Sequence, residues 1–292
     1  MEGGKSVNGR NSLIAALSVT VIVFFVELIG GLVSNSLALL SDAGHMLTDI
    51  MALSLALAAS IFASRQTEED RTYGFYRLEI LSALFNGILL TLVSLYIFYQ
   101  AYRRFVHPAE VQSSLMLMVA VVGLLANISA AFILKDSHEE NLNVRGAFVH
   151  VLSDLGASVA VIIGGLIIYF TRWYSVDPFL GVLIGLLILR GAVGLIKESA
   201  DILLEAAPKG ISVDEVENTI KDVKGIKEIH DLHIWTITSG INAISAHLLI
   251  EEKESGRAAE ILREVGAMLK VKYNFMHSTF QTECEACSVC RR

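Results

Sequence analysis

Apolar residues along the chain gather into six long runs, near 13–34, 37–62, 79–101, 114–134, 146–170 and 179–200, with short polar links between them. A helix needs about 20 largely apolar residues to cross a bilayer, and each run is long enough. An even number of spans places both ends of the chain on one side. After about residue 204 the pattern changes, as charges return and the apolar runs shorten to the lengths of soluble elements.

The tail reads as a small α/β unit. Ser212-Val213-Asp214-Glu215 has the form of a capping box and predicts a helix to about Val223. A strand is expected near 226–237, a turn at Ser239-Gly240 and a second strand near 241–250. A helix over roughly 256–270 and a last strand near 275–283 complete the order αββαβ. The expected division is a six-helix membrane domain, 1–204, followed by an α+β domain, 205–292, long enough for one core of its own.

Composition sharpens this reading. The chain is 53% hydrophobic and 18% charged, with a mean hydropathy of +0.57, as expected of a membrane protein. A net charge of −7 without a basic stripe excludes nucleic acid as a partner class. The first run is too long for a cleaved signal peptide and lacks a small-residue cleavage site, so none is expected. Lys5, Arg10, Arg65, Arg71, Arg77, Lys135, Arg145 and the tail fall on one side. Arg103, Arg104 and Arg172 fall on the other. The excess of basic residues places both termini in the cytoplasm, with Arg103 and Arg104 against the trend.

Within the apolar runs, one short pattern occurs twice. His45-Met46-Leu47-Thr48-Asp49 lies in the second run and His150-Val151-Leu152-Ser153-Asp154 in the fifth, both reading H-x-L-[ST]-D. Residues four apart share one helix face, so each copy aims an imidazole and a carboxylate the same way. Two such helices facing each other supply four N/O ligands, the number a tetrahedral zinc ion takes. A lone buried His is readily satisfied by a neighbouring helix, but two matching pairs are hard to explain as packing. Repeated units with a site at their interface are a common plan among transporters. The small residues Ala43, Gly44, Gly156, Ala157, Ser158, Gly164 and Gly165 would let these helices approach. Asp42, near the start of the second run, is a weaker candidate, suited to capping the helix or facing water; Glu27, Asn86 and Asn127 are assigned no ligand role and are suited to pairing between helices.

The link between the second and third runs ends in Tyr73-Gly74-Phe75-Tyr76-Arg77-Leu78-Glu79, a basic and aromatic approach to a helix, and Asp177-Pro178 precedes the sixth run. With the two His-x-x-x-Asp motifs, these features make the chain resemble the cation diffusion facilitator family, in its zinc-transporting branch. The resemblance extends over almost the whole chain. It implies that His45, Asp49, His150 and Asp154 form the transport site, and that the tail is a ferredoxin-like domain that forms a homodimer. His at the first of these positions implies zinc, in keeping with the preference of imidazole for zinc over harder manganese; cobalt fits the same ligands.

The tail carries further metal-type residues: His230, His233, His247, His277, Glu283, Cys284, Cys287 and Cys290. Strand alternation sends His230 and His233 to opposite faces, so they are not expected in one site. If the turn pairs Thr238 with Ile241, His230 and His247 become diagonal neighbours on one face. The resemblance likewise points to binding positions at His230, His247 and Glu283. Cys284-x-x-Cys287-x-x-Cys290 holds the only cysteines of the chain, an odd number in a tail facing a reducing cytosol, which favours thiolate metal ligation over disulfides. By resemblance, His277 supplies a fourth ligand there. The N-terminal stretch has no His or Cys, and the link between runs four and five holds only His138.

The expected function is a proton-coupled antiporter in the cell membrane that exports zinc from the cytoplasm, with zinc, protons and lipid as its partners and zinc also as a regulatory tail ion. Export of cobalt or cadmium is the neighbouring alternative. An intramembrane zinc enzyme would want an H-E-x-x-H helix or clustered His boxes, which are absent, so no enzyme is expected. A four-ligand cage would release ions too slowly for a channel.

Overall fold

The computed structural model describes residues 3–47, 50–51, 72–135 and 142–283, with side chains described outside 3–16, 133–150, 153, 252 and 255. Helix α1 (Gly3–Ser34) ends in a left-handed Asn35, φ 56°, and the Ser36 N–H returns to Gly31 O at 3.0 Å. This six-to-one closure lets the chain reverse in two residues. Helix α2 begins at 37 and is described through 47 and again at 50–51, so the rest of the expected second span lies outside the described residues. Helices α3 (Tyr76–Val106), α4 (Ser113–Lys135), α5 (Leu142–Thr171) and α6 (Val176–Leu203) follow. Among the described residues, five helices are long and apolar enough to cross a membrane.

Helices α1, α3, α4, α5 and α6 outrun their apolar runs because backbone hydrogen bonding continues into polar turns. Arg103 and Arg104 occupy the last turn of α3, where cations face the negative end of the helix dipole. Residues 1–56 and 85–195 form one compact unit. In it α4 packs against α1 and α5, and Leu39, Met116, Val161, Ile168 and Ala192 are buried at its core. Large apolar side chains such as Ile22, Phe25, Ile29 and Leu32 point outward, the inverse of a water-soluble surface and what acyl chains solvate. The small residues divide in their use. A Cβ on Gly165 would lie 2.8 Å from Leu117 Cδ2, so α5 and α4 need the glycine, whereas one on Gly156 would meet nothing within 4 Å among the described residues.

Residues 57–84 and 196–292 form the second compact unit. Ser212 caps α7 (Val213–Lys221) by accepting from Glu215 N, and α7 buries Val216 and Ile220. Strands β1 (Ile226–Thr238), β2 (Ile241–Ile250) and β3 (Phe275–Glu283) form one sheet with β2 in the middle, antiparallel to β1 and parallel to β3. Gly240, φ 76°, completes the two-residue turn between β1 and β2. A 3-10 turn (Glu252–Arg257) leads into α8 (Ala258–Tyr273), and left-handed Asn274 turns the chain directly into β3. Val216 and Ile220 of α7 and Ile261, Val265 and Leu269 of α8 join Ile244, Ala246, Leu248 and Ile250 of β2 in one apolar core. Alternation along β2 then leaves Ser245 and His247 on the face away from that core.

The strand register departs from simple alternation. Thr238 pairs with Ile241 as expected, but His230 pairs directly with His247 rather than diagonally. The cause is a set of register shifts, one of them between His230 and His233, where Asp231 takes a left-handed φ of 53°. A bulge adds one residue to β1 and flips the parity beyond it. His233 therefore lies opposite Ser245, on the same side as His247, and the expectation that His230 and His233 face apart is overturned.

Candidate metal centres

In the membrane half, α2 presents His45 and α5 presents Asp154. His45 Nε2 lies 3.9 Å from Asp154 Oδ1, with side-chain exposures of 33% and 8%. That is too long for a hydrogen bond but close to the separation of about 3.3 Å between two ligands on one tetrahedral zinc, given metal–ligand bonds near 2.0–2.1 Å. One residue from each copy of the repeated motif is thus brought together. Asp49 lies outside the described residues, and of His150 only the backbone is described, within α5. Asp42 and Glu27 are also buried, at 4% and 1% exposure, and Asn127 donates to Ser158 Oγ at 3.4 Å, joining α4 to α5 as suited to a helix-pairing amide.

In the tail, the strand pairing builds a compact donor set on the face of β2 away from the apolar core. His230 Nε2 is 3.2 Å from Glu283 Oε2, and His247 Nδ1 is 2.9 Å from Glu283 Oε1. The two rings lie 5.2 Å apart, and one donor atom from each of the three residues falls within 4.8 Å of the others. Alternation places Glu283 there, because Gln281 pairs with His247 and Glu283 comes two residues later on the same face. Despite the short distances, His230 Nδ1 and Nε2, His247 Nδ1 and Glu283 Oε2 are buried without hydrogen-bond partners among the described residues. Buried polar atoms are rarely left so, and a cation taking one lone pair from each imidazole and one from the carboxylate would satisfy three of these groups together. Two imidazoles and a carboxylate are a donor set that zinc accepts.

Asp231 is a neighbour that sequence reading missed, since nothing in the residue pattern marks the bulge. Its Oδ2 lies 3.8 Å from His247 Nε2, and His233 Nε2 donates to its Oδ1 at 3.0 Å. That hydrogen bond holds the Asp231 carboxyl below the usual carboxylate range, aided by the charges of His233, His247 and His230 and opposed by partial desolvation. His277 is not brought to the trio. It lies near the start of β3, pairs with Ala243 and stacks edge-on against Tyr73, with ring centroids 5.6 Å apart. Cys284, Cys287 and Cys290 lie outside the described residues.

Near the base of α3, Arg77 Nη2 meets Glu205 Oε1 at 2.7 Å, both groups half-exposed. Glu79 in the first turn of α3 accepts from the hydroxyls of Thr238 and Ser239 at 2.5 and 2.7 Å, fixing the tip of the β1–β2 hairpin.

Residues 13–204 match the family model described as "Cation efflux transmembrane domain", and residues 208–285 that of "Cation efflux protein, cytoplasmic domain". The chain is 41% identical over 283 residues to the "Cadmium, cobalt and zinc/H(+)-K(+) antiporter" of Bacillus subtilis, covering 95% of this chain and 91% of that protein. It is 43% identical over 278 residues to the "Metal cation efflux system protein CzcD" of Cupriavidus metallidurans, covering 95% and 88%. To the "Zinc transporter ZitB" of Escherichia coli K12 it is 38% identical over 282 residues, covering 96% and 89%. With both halves matched in order and relatives aligned almost end to end, the chain belongs to the cation efflux, or cation diffusion facilitator, family of multi-pass membrane transporters, not to a class of enzymes.

Proposed function

We propose that this protein exports zinc from the cytoplasm across the cell membrane in exchange for protons, by alternating access at a site made of His45, Asp49, His150 and Asp154. The observation that carries the reading is the 3.9 Å approach of His45 Nε2 to Asp154 Oδ1, which joins the two copies of one motif. Support comes also from relatives named for zinc, cadmium and cobalt, one of them as an antiporter using H⁺.

Zinc reaching the site from the cytoplasm displaces protons from the two imidazoles, since only neutral imidazole ligates. Two carboxylates balance the charge of the dication, so the loaded site approaches neutrality at membrane depth, where net charge is costly. Helices α2 and α5 then turn the ligands to the far side, where protons compete for them and release the ion. Basic residues favour cytoplasmic termini. Arg104, which ran against that trend, pairs with the buried carboxylate of Asp177 at 3.0 Å, so its charge is matched within the protein. The tail is read as a dimerising module, in keeping with the family, with His230, His247 and Glu283 holding a regulatory zinc. In the same reading, Cys284, Cys287 and Cys290, with His277, form a lesser tail site.

Flux of zinc into sealed vesicles under an imposed pH gradient tests the reading. Uptake should follow the gradient and should fall at least 100-fold in Asp154→Asn, since the carboxylate is a ligand. Uptake indifferent to the gradient would remove the antiport. Cobalt and cadmium in the same assay decide the second reading, a broader divalent-cation exporter, which the Bacillus subtilis relative named for cadmium, cobalt and zinc favours.

A further inference from the structure

Away from the metal ligands, the most completely satisfied polar cluster in the membrane half surrounds Asp177 at the start of α6. Its side chain is fully buried, and Oδ2 accepts from Leu37 N at 2.7 Å while Oδ1 accepts from Ala38 N at 3.2 Å and Ser36 Oγ at 2.6 Å. Arg104 at the end of α3 donates to Oδ2 at 3.0 Å and reaches on to Asn35 O and Asn35 Oδ1 at 2.6 and 2.8 Å. Ser36 Oγ accepts in turn from Leu39 N at 3.3 Å. The first three N–H groups of α2, which a helix start normally leaves unpaired, are therefore all taken, two of them by a carboxylate on another helix.

The contact continues along the same faces. Gly181 follows Asp177 by four residues, and a Cβ there would lie 3.0 Å from Leu37 Cγ and 3.4 Å from Ser41 Oγ. Ser41 precedes His45 by four, so the docked face of α2 runs straight on to the proposed transport ligand.

We propose that Asp177 is a positioning residue for transport: by clamping the first turns of α2 to α6 and α3, it fixes the height and rotation at which His45 meets Asp154. A buried carboxylate is tolerable only with its full set of partners, so the clamp holds as a unit throughout the cycle, and α2 moves only beyond Ser41. The inference rests on the reading of His45 as a transport ligand.

Two measurements test it, both on the full chain in sealed vesicles. Asp177→Asn keeps the shape but weakens the clamp, and should raise the KM for zinc about tenfold with a smaller change in maximal flux per folded protein, since misplaced ligands bind less well. An unchanged KM, with only yield or maximal flux reduced, would show a merely structural role and overturn the proposal. Second, Ser41→Cys with Gly181→Cys, in a chain with Cys284→Ser, Cys287→Ser and Cys290→Ser, places two thiols at disulfide distance. Oxidation should leave zinc flux within about twofold of the reduced form, because a contact that never opens tolerates a crosslink. Flux abolished by oxidation and restored by reductant would show that α2 leaves α6 during transport, and would overturn the clamp. The underlying reading fails separately, through undiminished flux in His45→Ala with the clamp intact.

Discussion

Glu283 stands within 2.9 and 3.2 Å of two imidazole nitrogens, yet among the described residues one of its oxygens has no hydrogen-bond partner. A carboxylate in that position is poised for a cation, and Glu283→Gln should lower zinc affinity at the tail by at least 100-fold, read by chelator competition on the full chain with Cys284, Cys287 and Cys290 replaced by Ser. Asp231→Asn should weaken binding by a smaller factor in the same assay, because it removes a negative charge 3.8 Å from His247 Nε2. In zinc-free protein the sign of the acid response also follows. The folded-state pKa of Asp231 is lowered, so the stability it contributes is present above the ordinary value of 3.8 and is lost as pH falls through the lowered value. Thermal unfolding of Asp231→Asn should therefore lose less stability across that acid window than the parent protein. At this scale Glu283 was pointed to by the resemblance alone, and the closeness of His230 and His247 was legible in strand alternation, though as a diagonal and not a direct pair. Asp231 was not, because a single left-handed residue inside a strand leaves no mark in the pattern of apolar positions.

Among the elements, the hydropathy runs located the five described spans and alternation located all three strands of the tail. What they missed were the ends and the parity. Helix ends extend through polar turns that hydropathy ignores, and a bulge in β1 changes which side chains share a face without changing where the strand lies. His277 sits at the far end of β3 from Glu283, where its ring meets Tyr73 edge-on, and the cysteines it is expected to join lie outside the described residues. The core that holds β2 in register depends on α8, where Leu269 and Val265 are fully buried. Leu269→Ala should destabilise the tail by about 2–5 kcal/mol, the range for removing a buried leucine side chain, seen as an earlier unfolding transition by calorimetry. Because β1, β2 and β3 all place buried side chains in that core, that variant should also weaken tail zinc binding while leaving the order of metal preference unchanged.

For the molecule as a whole, two motif copies on two helices, a charge bias in short loops and a soluble tail carry the account. The topology is testable through the tail cysteines. A membrane-impermeant thiol reagent should label Cys284, Cys287 and Cys290 in inside-out vesicles and not in intact cells, and the reverse pattern would invert the direction of transport. The His45–Asp154 approach was readable in advance because matched motifs demand a common partner, whereas the clamp at Asp177 was visible only as a dipeptide before a span. The central claim is that one ion is held inside the bilayer by α2 and α5. It is tested most directly by X-ray absorption at the zinc edge on protein carrying His230→Ala, His247→Ala, Glu283→Gln and serine at all three cysteine positions. One zinc per chain with four nitrogen or oxygen neighbours at about 2.0–2.1 Å is the predicted result, and loss of all bound zinc in this tail-silenced protein would contradict it.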